Sequence, residues 1–309
     1  MTAAPRLSVV LAAPPRADVI NRALTALQEG LPGETIELLL TGSPPPTVPD
    51  GNLLPSCWHI RHLATDPKML VPEQWGVGLR HASAPLIAFF SGDTVITPDW
   101  WPAVATAIAE DGVAGVATGI ALLPTGRPDA AVFLARYSTF LPQAGGQSHT
   151  CTNLPGEATV YRRAVLTQYP ELIREGFWEI RFHQRMLAEG WRLRFLPQPL
   201  TLFHAAPGVV AFMQQRCGHA QQFGAERVRR FGQSRLGITV RAPLVPWVML
   251  GRILRRAIPN RWGRRALRTG LPRLILYLMA WSWGEVLGAW RANDENQLSN
   301  DERRPEGLP

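Results

Sequence analysis

The stretch AFFSGDTVITPDWW, residues 88–101, joins a continuous apolar run to an acidic loop. Residues Leu86 to Phe90 are apolar throughout, which is typical of a strand that is covered on both faces of a sheet. The run ends at Ser91-Gly92-Asp93, so the strand delivers one carboxylate to the loop that follows it. In sheets of this kind, ligands bind beyond the carboxyl ends of the strands. The stretch therefore predicts a parallel sheet with a binding site at this loop.

The same rhythm recurs along the first 205 residues. Apolar runs at Leu7 to Ala12, Ile36 to Leu40 and Val113 to Thr118 alternate with helical patterns at Ala17 to Glu29, Pro72 to Ser83 and Trp100 to Glu110. This alternation predicts an α/β domain with a mainly parallel central sheet and helices on both faces. The carboxyl ends of its strands should share one crevice. A dinucleotide fingerprint is absent, because Gly76-Val77-Gly78 lacks the third glycine and precedes a strand.

The composition indicates a globular protein of a reducing compartment. The chain has 309 residues, of which 46% are hydrophobic, and this length can bury one large core or two modest ones. Its three cysteines form no C-x-x-C pair, so neither a disulfide framework nor a zinc site is expected. The apolar run near the N-terminus is short and is followed by two prolines, which predicts a first strand and not a signal peptide.

The net charge of +8 comes from one segment. Between Arg216 and Arg273 there are fourteen arginines and one acid, Glu226, so the rest of the chain is net acidic. Tryptophan and leucine are interleaved with the arginines and no nucleic-acid motif is present, which favours anionic membrane lipids as the partner, not nucleic acid. The uncharged run from Leu274 to Gly284 is too short to span a bilayer. The alternative is that residues 274–290 pack on the sheet domain as a buried helix.

Three regions follow from these patterns. Residues 1–206 form the α/β domain, residues 207–292 a helical, arginine-rich, membrane-associating segment, and residues 293–309 a polar tail that is predicted to be disordered. The arginine excess would hold the segment at the cytoplasmic face of the inner membrane. We therefore expect a peripheral or monotopic protein.

Several segments of the α/β domain occur in an order that one enzyme family shares. They are LLLTGS (38–43), EQWGVGLRHASAP (73–85), the acidic loop with P-D-W (98–100), GEATVYRRAVL (156–166) and GFWEIRFHQRMLAEGWRLRFLP (176–197), followed by Phe203-His204. In this order they resemble the family-2 glycosyltransferases of the GT-A type, over about residues 5–205. The resemblance implies a nucleotide-diphosphate sugar donor, an inverting transfer and a Mg²⁺ or Mn²⁺ cofactor. It places the donor at Ala12, Ala13, Arg16, Thr41, Trp75, Gly76, Ser91, Gly92 and Asp93.

The metal and base motifs of this family are incomplete here. Ser91-Gly92-Asp93 stands in place of D-x-D, and Glu179-Ile180 in place of the E-D pair. Magnesium is often held by one or two carboxylates, with phosphate oxygens and water as the other ligands, so Asp93 alone can anchor it. His204 resembles the histidine that approaches the diphosphate in relatives, and it is the second predicted metal ligand. The alternatives are that Asp93 caps a turn and that His204 is a core histidine.

Glu179 is the predicted general base. It begins a helix that runs to about Glu189, so its carboxylate is expected at the mouth of a pocket. His183 lies one turn later on the same face and can orient or polarise it. Trp178 and Trp100 are the predicted acceptor-binding residues. The alternatives are that Glu179 only complements the helix dipole and that Trp178 belongs to the buried stripe of its helix.

Two functions from different classes remain. The first is a glycosyltransferase that acts on a lipid-linked or cell-envelope glycan at the cytoplasmic membrane face. The second is a catalytically inactive GT-A-like domain that binds a nucleotide sugar or serves as a scaffold. Nucleotide-sugar binding with and without Mn²⁺, followed by donor hydrolysis, distinguishes the two.

Overall fold

The computed structural model describes residues 4–12, 17–42 and 54–292. In these residues the strands are β1 (Leu7–Ala12), β2 (Ile36–Gly42), β3 (His59–Ala64), β4 (Leu86–Phe90), β5 (Thr94–Ile96), β6 (Val113–Leu122), β7 (His149–Cys151), β8 (Thr159–Arg162) and β9 (Arg192–Phe203). The helices are α1 (Ala17–Gly30), α2 (Val71–His81), α3 (Trp100–Ile108), α4 (Ala130–Tyr137), α5 (Arg163–Leu166), α6 (Pro170–Glu175), α7 (Glu179–Ala188), α8 (Val209–Arg229), α9 (Arg235–Arg241), α10 (Val245–Ala257) and α11 (Arg261–Arg291). The predicted tail and the predicted donor residues Ala13 and Arg16 lie outside the described residues.

These strands form one sheet in the order β3-β2-β1-β4-β8-β6-β9-β5, and β7 also pairs with β9. The strands β3, β2, β1 and β4 are parallel neighbours, and β6 is parallel to β9. Strand β8 runs antiparallel between β4 and β6, and the short strands β5 and β7 run antiparallel to β9. The predicted α/β class with a mostly parallel central sheet is therefore confirmed.

The two faces of the sheet are covered by different helices. Alternate residues of β1 (Leu7, Val9 and Leu11) belong to the same buried cluster as apolar residues of α1 and α3, because successive side chains of a strand point to opposite faces. On the other face, Gly78 of α2 lies so close to Val10 that a Cβ atom there would come within 2.2 Å of a Val10 methyl group. The continuous apolar runs are thus explained by burial on both sides.

The chain divides into two compact units. The first, which we call the sheet unit, consists of residues up to 128 and 140–205; the second, the helical unit, consists of residues 129–139 and those from 206 onward. Helix α4 belongs to the helical unit, although residues 1–206 are predicted as one α/β domain. Its N-cap residue Asp129 accepts hydrogen bonds from the backbone amides of Ala131 and Val132, and its second oxygen accepts from Arg273 and Tyr277 of α11.

Helices α8 and α11 of the helical unit pack closely through glycine. A Cβ atom on Gly224, Gly284 or Gly288 would lie 1.9 to 2.4 Å from a backbone oxygen of the facing helix. One side of α11 is therefore buried by α8, while residues such as Met279 and Trp283 on its other side are exposed. No single helix in the described part of the chain is long and apolar enough to cross a membrane; α9 and α10 meet that requirement only as a pair bent by 59°.

Candidate functional site

The carboxyl ends of β1, β2 and β4 lie side by side at one edge of the sheet. Ala12 is in register with Thr41, and Leu11 with Phe90. Ala12 and Thr41 are both buried, and the Thr41 hydroxyl donates to the carbonyl of Leu11. These contacts fix the two residues at the strand ends, and their part in donor binding stays a prediction. The loop Ser91-Gly92-Asp93 begins at the same edge.

A buried carboxylate that the sequence analysis missed holds this loop. Both the backbone amide and the hydroxyl of Ser91 donate to the same oxygen of Glu157, the former over 2.9 Å. Both residues are buried, and Gly92 follows with a φ of 79°, which favours glycine. Because the Ser91 hydroxyl is already bonded to a carboxylate, Ser91 supports the loop, and its predicted contact with the donor stays a prediction. The only sign of Glu157 in the sequence was that the GEATVY segment contains an acidic residue.

The backbone at Ala158 places Glu157 beneath the loop. Ala158 has a φ of 50°, and no other non-glycine residue in the described ranges has a positive φ. Its amide donates to the carbonyl of Phe89 over 2.8 Å, at the end of β4. A left-handed residue with a Cβ atom costs free energy and persists only where its surroundings enforce it. The free-energy cost of the left-handed backbone at Ala158 thus accompanies the placement of the Glu157 carboxylate beneath the loop.

Trp75 and Gly76 have packing roles in this site. The Trp75 indole donates to the carbonyl of Phe90 over 2.8 Å, and Gly76 is so close to Gly176 that a Cβ atom would lie 2.6 Å from its Cα. Both are buried. Their predicted contact with the donor is therefore corrected to support of the strand end from which the donor loop starts.

Asp93 and His204 meet where β5 pairs with the end of β9. Thr94 is in register with Phe203, and the backbone amide of His204 donates to the Asp93 carbonyl over 3.0 Å. Burial lowers the pKa of His204 and the Arg22 guanidinium lowers it further, whereas Asp93 and the carbonyls of Gly92 and His204 itself raise it; the net direction is down. The imidazole is thus neutral at pH 7, and Asp93 is close enough for its charge to affect the pKa of the ring.

Arg22 of α1 determines where the His204 ring carries its proton. Its Nη1 lies 3.2 Å from His204 Nδ1, and a guanidinium can only donate hydrogen bonds. Nδ1 must therefore accept, which leaves the proton of the neutral ring on Nε2. Nε2 is buried and has no hydrogen-bond partner among the residues that the structure describes. His204 consequently carries a buried donor at Nε2.

These contacts test whether the residues fit a divalent metal. No group of three His, Cys, Asp or Glu side chains in residues 4–12, 17–42 and 54–292 could hold a metal ion. His204 presents a proton at Nε2 and accepts from Arg22 at Nδ1, so the prediction that it ligates a metal was wrong. Asp93 still fits the chemistry of Mg²⁺ or Mn²⁺, which accept one carboxylate together with phosphate oxygens and water.

Glu179 packs against the Gly156-Glu157 segment. A Cβ atom at Gly156 would lie 3.3 Å from the Glu179 carboxylate and 2.9 Å from the Trp75 ring. Glu179 is half-buried at the start of α7. The same short segment therefore contacts the predicted base at Gly156 and holds the donor loop at Glu157.

His183 does not orient Glu179 directly. Both ring nitrogens are hydrogen-bonded elsewhere: Nε2 lies 2.8 Å from the Tyr161 hydroxyl, and Nδ1 lies 2.5 Å from Asn153 Oδ1. The ring is buried, and this burial lowers the pKa of His183 to about 3. The predicted role as a direct partner of the base was therefore wrong. His183 positions Tyr161, whose pKa is raised by burial and by the nearby Glu179 charge.

The buried His183 predicts a loss of stability in mild acid. The unfolded chain takes up a proton at this residue below pH 6.5, whereas the folded state stays neutral down to about pH 3. The stabilising contribution is therefore complete above pH 6.5 and declines as the pH falls, by up to about 1.4 kcal/mol per pH unit. Urea unfolding of His183→Gln at pH 7, 6 and 5 should show a shallower decline than wild type. If the stability of His183→Gln declined as steeply as that of wild type, or of the variant His149→Gln at an exposed position, burial of His183 would not be the origin of the loss in acid.

The two predicted acceptor tryptophans have different environments. Trp100 has no exposed surface and packs in the core of the sheet unit, with its ring edge-on to Phe90 at 6.0 Å. It cannot contact an acceptor, so that prediction was wrong. Trp178 is half-buried, and its indole donates to the Glu175 carbonyl over 3.0 Å. Its contact with the acceptor stays a prediction.

Comparison with protein-family models gives no match, and comparison with curated proteins gives none either. Among solved structures, the mannosyltransferase PcManGT from Pyrobaculum calidifontis, in complex with GDP-Man and Mn²⁺, is similar to this chain with a TM-score of 0.54 and 15% identity, over 96% of this chain and 89% of that chain. The S. aureus protein TarS, in complex with UDP-GlcNAc, gives a TM-score of 0.47 and 12% identity, over 95% and 92%. The likeness to the mannosyltransferase shows that this chain has a GT-A-like glycosyltransferase fold.

Proposed function

We propose that this protein is a glycosyltransferase that moves a sugar from a nucleotide-diphosphate donor to a lipid-linked or cell-envelope glycan acceptor at the cytoplasmic face of the membrane. The observation that carries the proposal is the segment Gly156-Glu157, which lies against the Glu179 carboxylate at Gly156 and holds Ser91 of the donor loop at Glu157. A base and a donor loop are thereby positioned at one edge of a GT-A-like sheet. The GDP-Man bound by the similar mannosyltransferase supports the donor class.

Each residue of the site has a distinct part in the proposed transfer. The oxygen of the acceptor hydroxyl attacks the anomeric carbon while Glu179 takes the proton of that hydroxyl. The bond between the anomeric carbon and the diphosphate breaks, so the configuration at this carbon is inverted. The leaving diphosphate gains negative charge that requires a positive partner. Asp93 would hold Mg²⁺ or Mn²⁺, which would supply part of that charge. Trp178, at the start of α7, is the proposed acceptor contact.

Calorimetric titration tests this proposal. UDP- and GDP-sugars are titrated with Mn²⁺ and with EDTA, and release of the sugar is then followed for each donor that binds. Binding with hydrolysis or transfer supports a transferase. Binding without either reaction in any acceptor mixture would favour the inactive nucleotide-sugar-binding domain, and the lack of binding to any nucleotide sugar would contradict both.

Replacement of Asp93 by alanine is expected to lower nucleotide-sugar affinity more in Mn²⁺ than in EDTA, because the carboxylate acts on the donor through the metal. The measurement is the ratio of the two dissociation constants for wild type and variant. Asp99→Ala is a matched control, because this acid is exposed, follows β5 and makes no side-chain cap bond to α3. Equal affinities for Asp93→Ala and wild type under both conditions would make Asp93 a turn residue.

The proposed membrane location rests on the surface of the helical unit. Among the described residues, the large hydrophobic side chains that are exposed all lie in this unit except Ile180. On α11 they include Leu276, Met279, Trp283 and Trp290, whose spacing of three, four and seven residues places them on one side of the helix. The same unit carries the arginine-rich segment. Apolar side chains beside arginines suit the interface of an anionic membrane.

A further inference from the structure

An open cavity lies in the helical unit, at the turn between α8 and α9. Its volume is about 370 Å³, at the lower end of the range for small-molecule sites. The residues that line it come from the end of α8, the turn, the start of α9 and the end of α11: Val228, Gln233, Ser234, Arg235, Leu236 and Trp290. The Gln233 amide donates to the Arg227 carbonyl over 3.0 Å, and the Gly237 amide donates to the Ser234 hydroxyl over 3.4 Å, so hydrogen bonds hold this turn in place. We call the space the α8–α9 cavity.

Arg235 gives the cavity a charged donor. Its guanidinium lies over the Trp290 ring, 5.8 Å from the ring centre. The ring is held against α9, because its N–H donates to the Thr239 hydroxyl over 3.1 Å and that hydroxyl donates to the Arg235 carbonyl over 2.9 Å. Across the part of the chain that the structure describes, the Arg235 guanidinium makes no hydrogen bond or ion pair. Its N–H groups are therefore available to a ligand, and a guanidinium can bind phosphate oxygens through two parallel hydrogen bonds.

The charge around the cavity is positive. None of the six side chains that line it is acidic. Helix α9 contains no acid, and α8 and α11 contain one each, Glu226 and Glu285. Glu226 pairs with Arg230 over 3.5 Å and Glu285 with Arg227 over 3.4 Å. Because both carboxylates have other arginines as partners, the α8–α9 cavity is complementary to an anion.

An apolar stripe begins at the same cavity. Leu236, Val240 and Leu244 are exposed and are spaced by four residues, so they follow one side of α9 and of the turn after it. Leu236 also lines the cavity. A free phosphate ion would leave this stripe in water, whereas an amphiphile with a phosphate headgroup contacts both the guanidinium and the apolar side chains. The two features together favour a phospholipid.

We propose that the α8–α9 cavity binds the headgroup of an anionic phospholipid. Arg235, with Trp290 behind its guanidinium, donates hydrogen bonds to the phosphate oxygens, and Leu236 and Val240 contact the acyl chains. The proposal rests on the membrane location in the proposed function and deepens it, because a defined headgroup site adds selectivity to the general attraction between arginines and an anionic surface. Such a site also fixes which side of the helical unit faces the bilayer.

Binding of a monomeric lipid tests the site without a bilayer. The probe is dihexanoyl phosphatidylglycerol below its micelle-forming concentration, titrated into the protein in a calorimeter. Arg235→Gln is expected to lower its affinity by roughly ten- to a hundredfold, as for a lost charged hydrogen bond. Arg235→Lys should recover only part of the loss, because lysine keeps the charge but lacks the planar fork. An unchanged affinity in Arg235→Gln would overturn the site.

Arg241→Gln is the matched control. It removes the same charge from an exposed arginine of the same helix that does not line the cavity. Its affinity for the monomeric lipid should equal that of wild type. Equal losses in Arg235→Gln and Arg241→Gln would mean that general charge attraction, and not the cavity, binds the lipid.

Two further ligands identify the source of the phosphate. Inorganic phosphate lacks the acyl chains, and dihexanoyl phosphatidylcholine has the same chains but no net charge, so both should bind more weakly than the phosphatidylglycerol. Leu236→Ser should lower the affinity for the phosphatidylglycerol roughly three- to tenfold and leave that for inorganic phosphate unchanged. Inorganic phosphate that binds as tightly as the lipid, with no effect of Leu236→Ser, would make this a free-anion site and contradict the lipid assignment.

Vesicle sedimentation separates the headgroup site from the proposed function. If wild type binds the monomeric lipid through Arg235 but does not bind anionic vesicles, the membrane location fails and the headgroup site stands. If wild type binds anionic vesicles while Arg235→Gln binds the monomeric lipid as wild type does, the membrane location stands and the headgroup site fails.

Discussion

Replacement of Glu179 by glutamine is expected to lower turnover by roughly 10² to 10⁴, the range found when a general base is removed, while donor affinity stays unchanged. Glutamine has nearly the same size and keeps hydrogen-bonding capacity, but it cannot accept the proton of the acceptor hydroxyl. The Glu179 carboxylate lies beside Gly156 and the Trp75 ring, and its charge acts on Tyr161. These contacts should hold glutamine in the same position.

Two measurements separate the loss of the base from other effects. Turnover is followed as release of nucleoside diphosphate, and donor affinity by calorimetric titration. Glu171→Gln is the matched control, because Glu171 is an exposed acid in the first turn of α6, as Glu179 is an acid in the first turn of α7. Turnover of Glu179→Gln within a few fold of wild type would remove Glu179 from the mechanism. Activity lost together with donor binding would indicate a disturbed donor loop.

Binding to anionic vesicles is expected to weaken by roughly 25-fold in the double variant Arg264→Gln/Arg265→Gln, since an arginine near an anionic membrane surface contributes about 1 kcal/mol. Both arginines are exposed on α11. High salt should weaken the binding of wild type in the same direction, because it screens charges at the surface. The measurement is sedimentation with vesicles that contain phosphatidylserine. Arg127→Gln, at an exposed arginine of the sheet unit, should bind as wild type does.

The apolar contribution is tested separately. Trp247 and Trp283 are 59% and 62% exposed, so replacement of both by serine should leave the helical unit folded. The double variant should bind vesicles more weakly than wild type at high salt, where burial of apolar surface dominates. Ile180→Ser removes an exposed hydrophobic residue of the sheet unit and should have no effect. Wild-type protein that ignores anionic vesicles at low salt would contradict the membrane location.

The sequence determined the elements whose residues are constrained locally. β1 and β4 have the predicted limits, and α1 and α7 begin at the predicted residues, because continuous apolar runs and helix-start signals are read within a few neighbouring positions. The segregation of arginines after residue 216 is also visible from composition alone. The α/β class follows from the order of these elements and needs no knowledge of contacts.

Only the tertiary structure decided how the site is assembled. Ser91 bonds to a carboxylate 66 residues away, and His204 to an arginine 182 residues away. Nothing in the local pattern marked Arg22, and the acid in the GEATVY segment did not reveal the partner of Glu157, because such bonds depend on which strand ends and helices become neighbours in space. For the same reason the sequence could not separate buried from accessible aromatic residues: Trp100 and Trp178 look alike as residues beside a loop, yet packing against the sheet removes all exposed surface from the first and leaves the second half-buried.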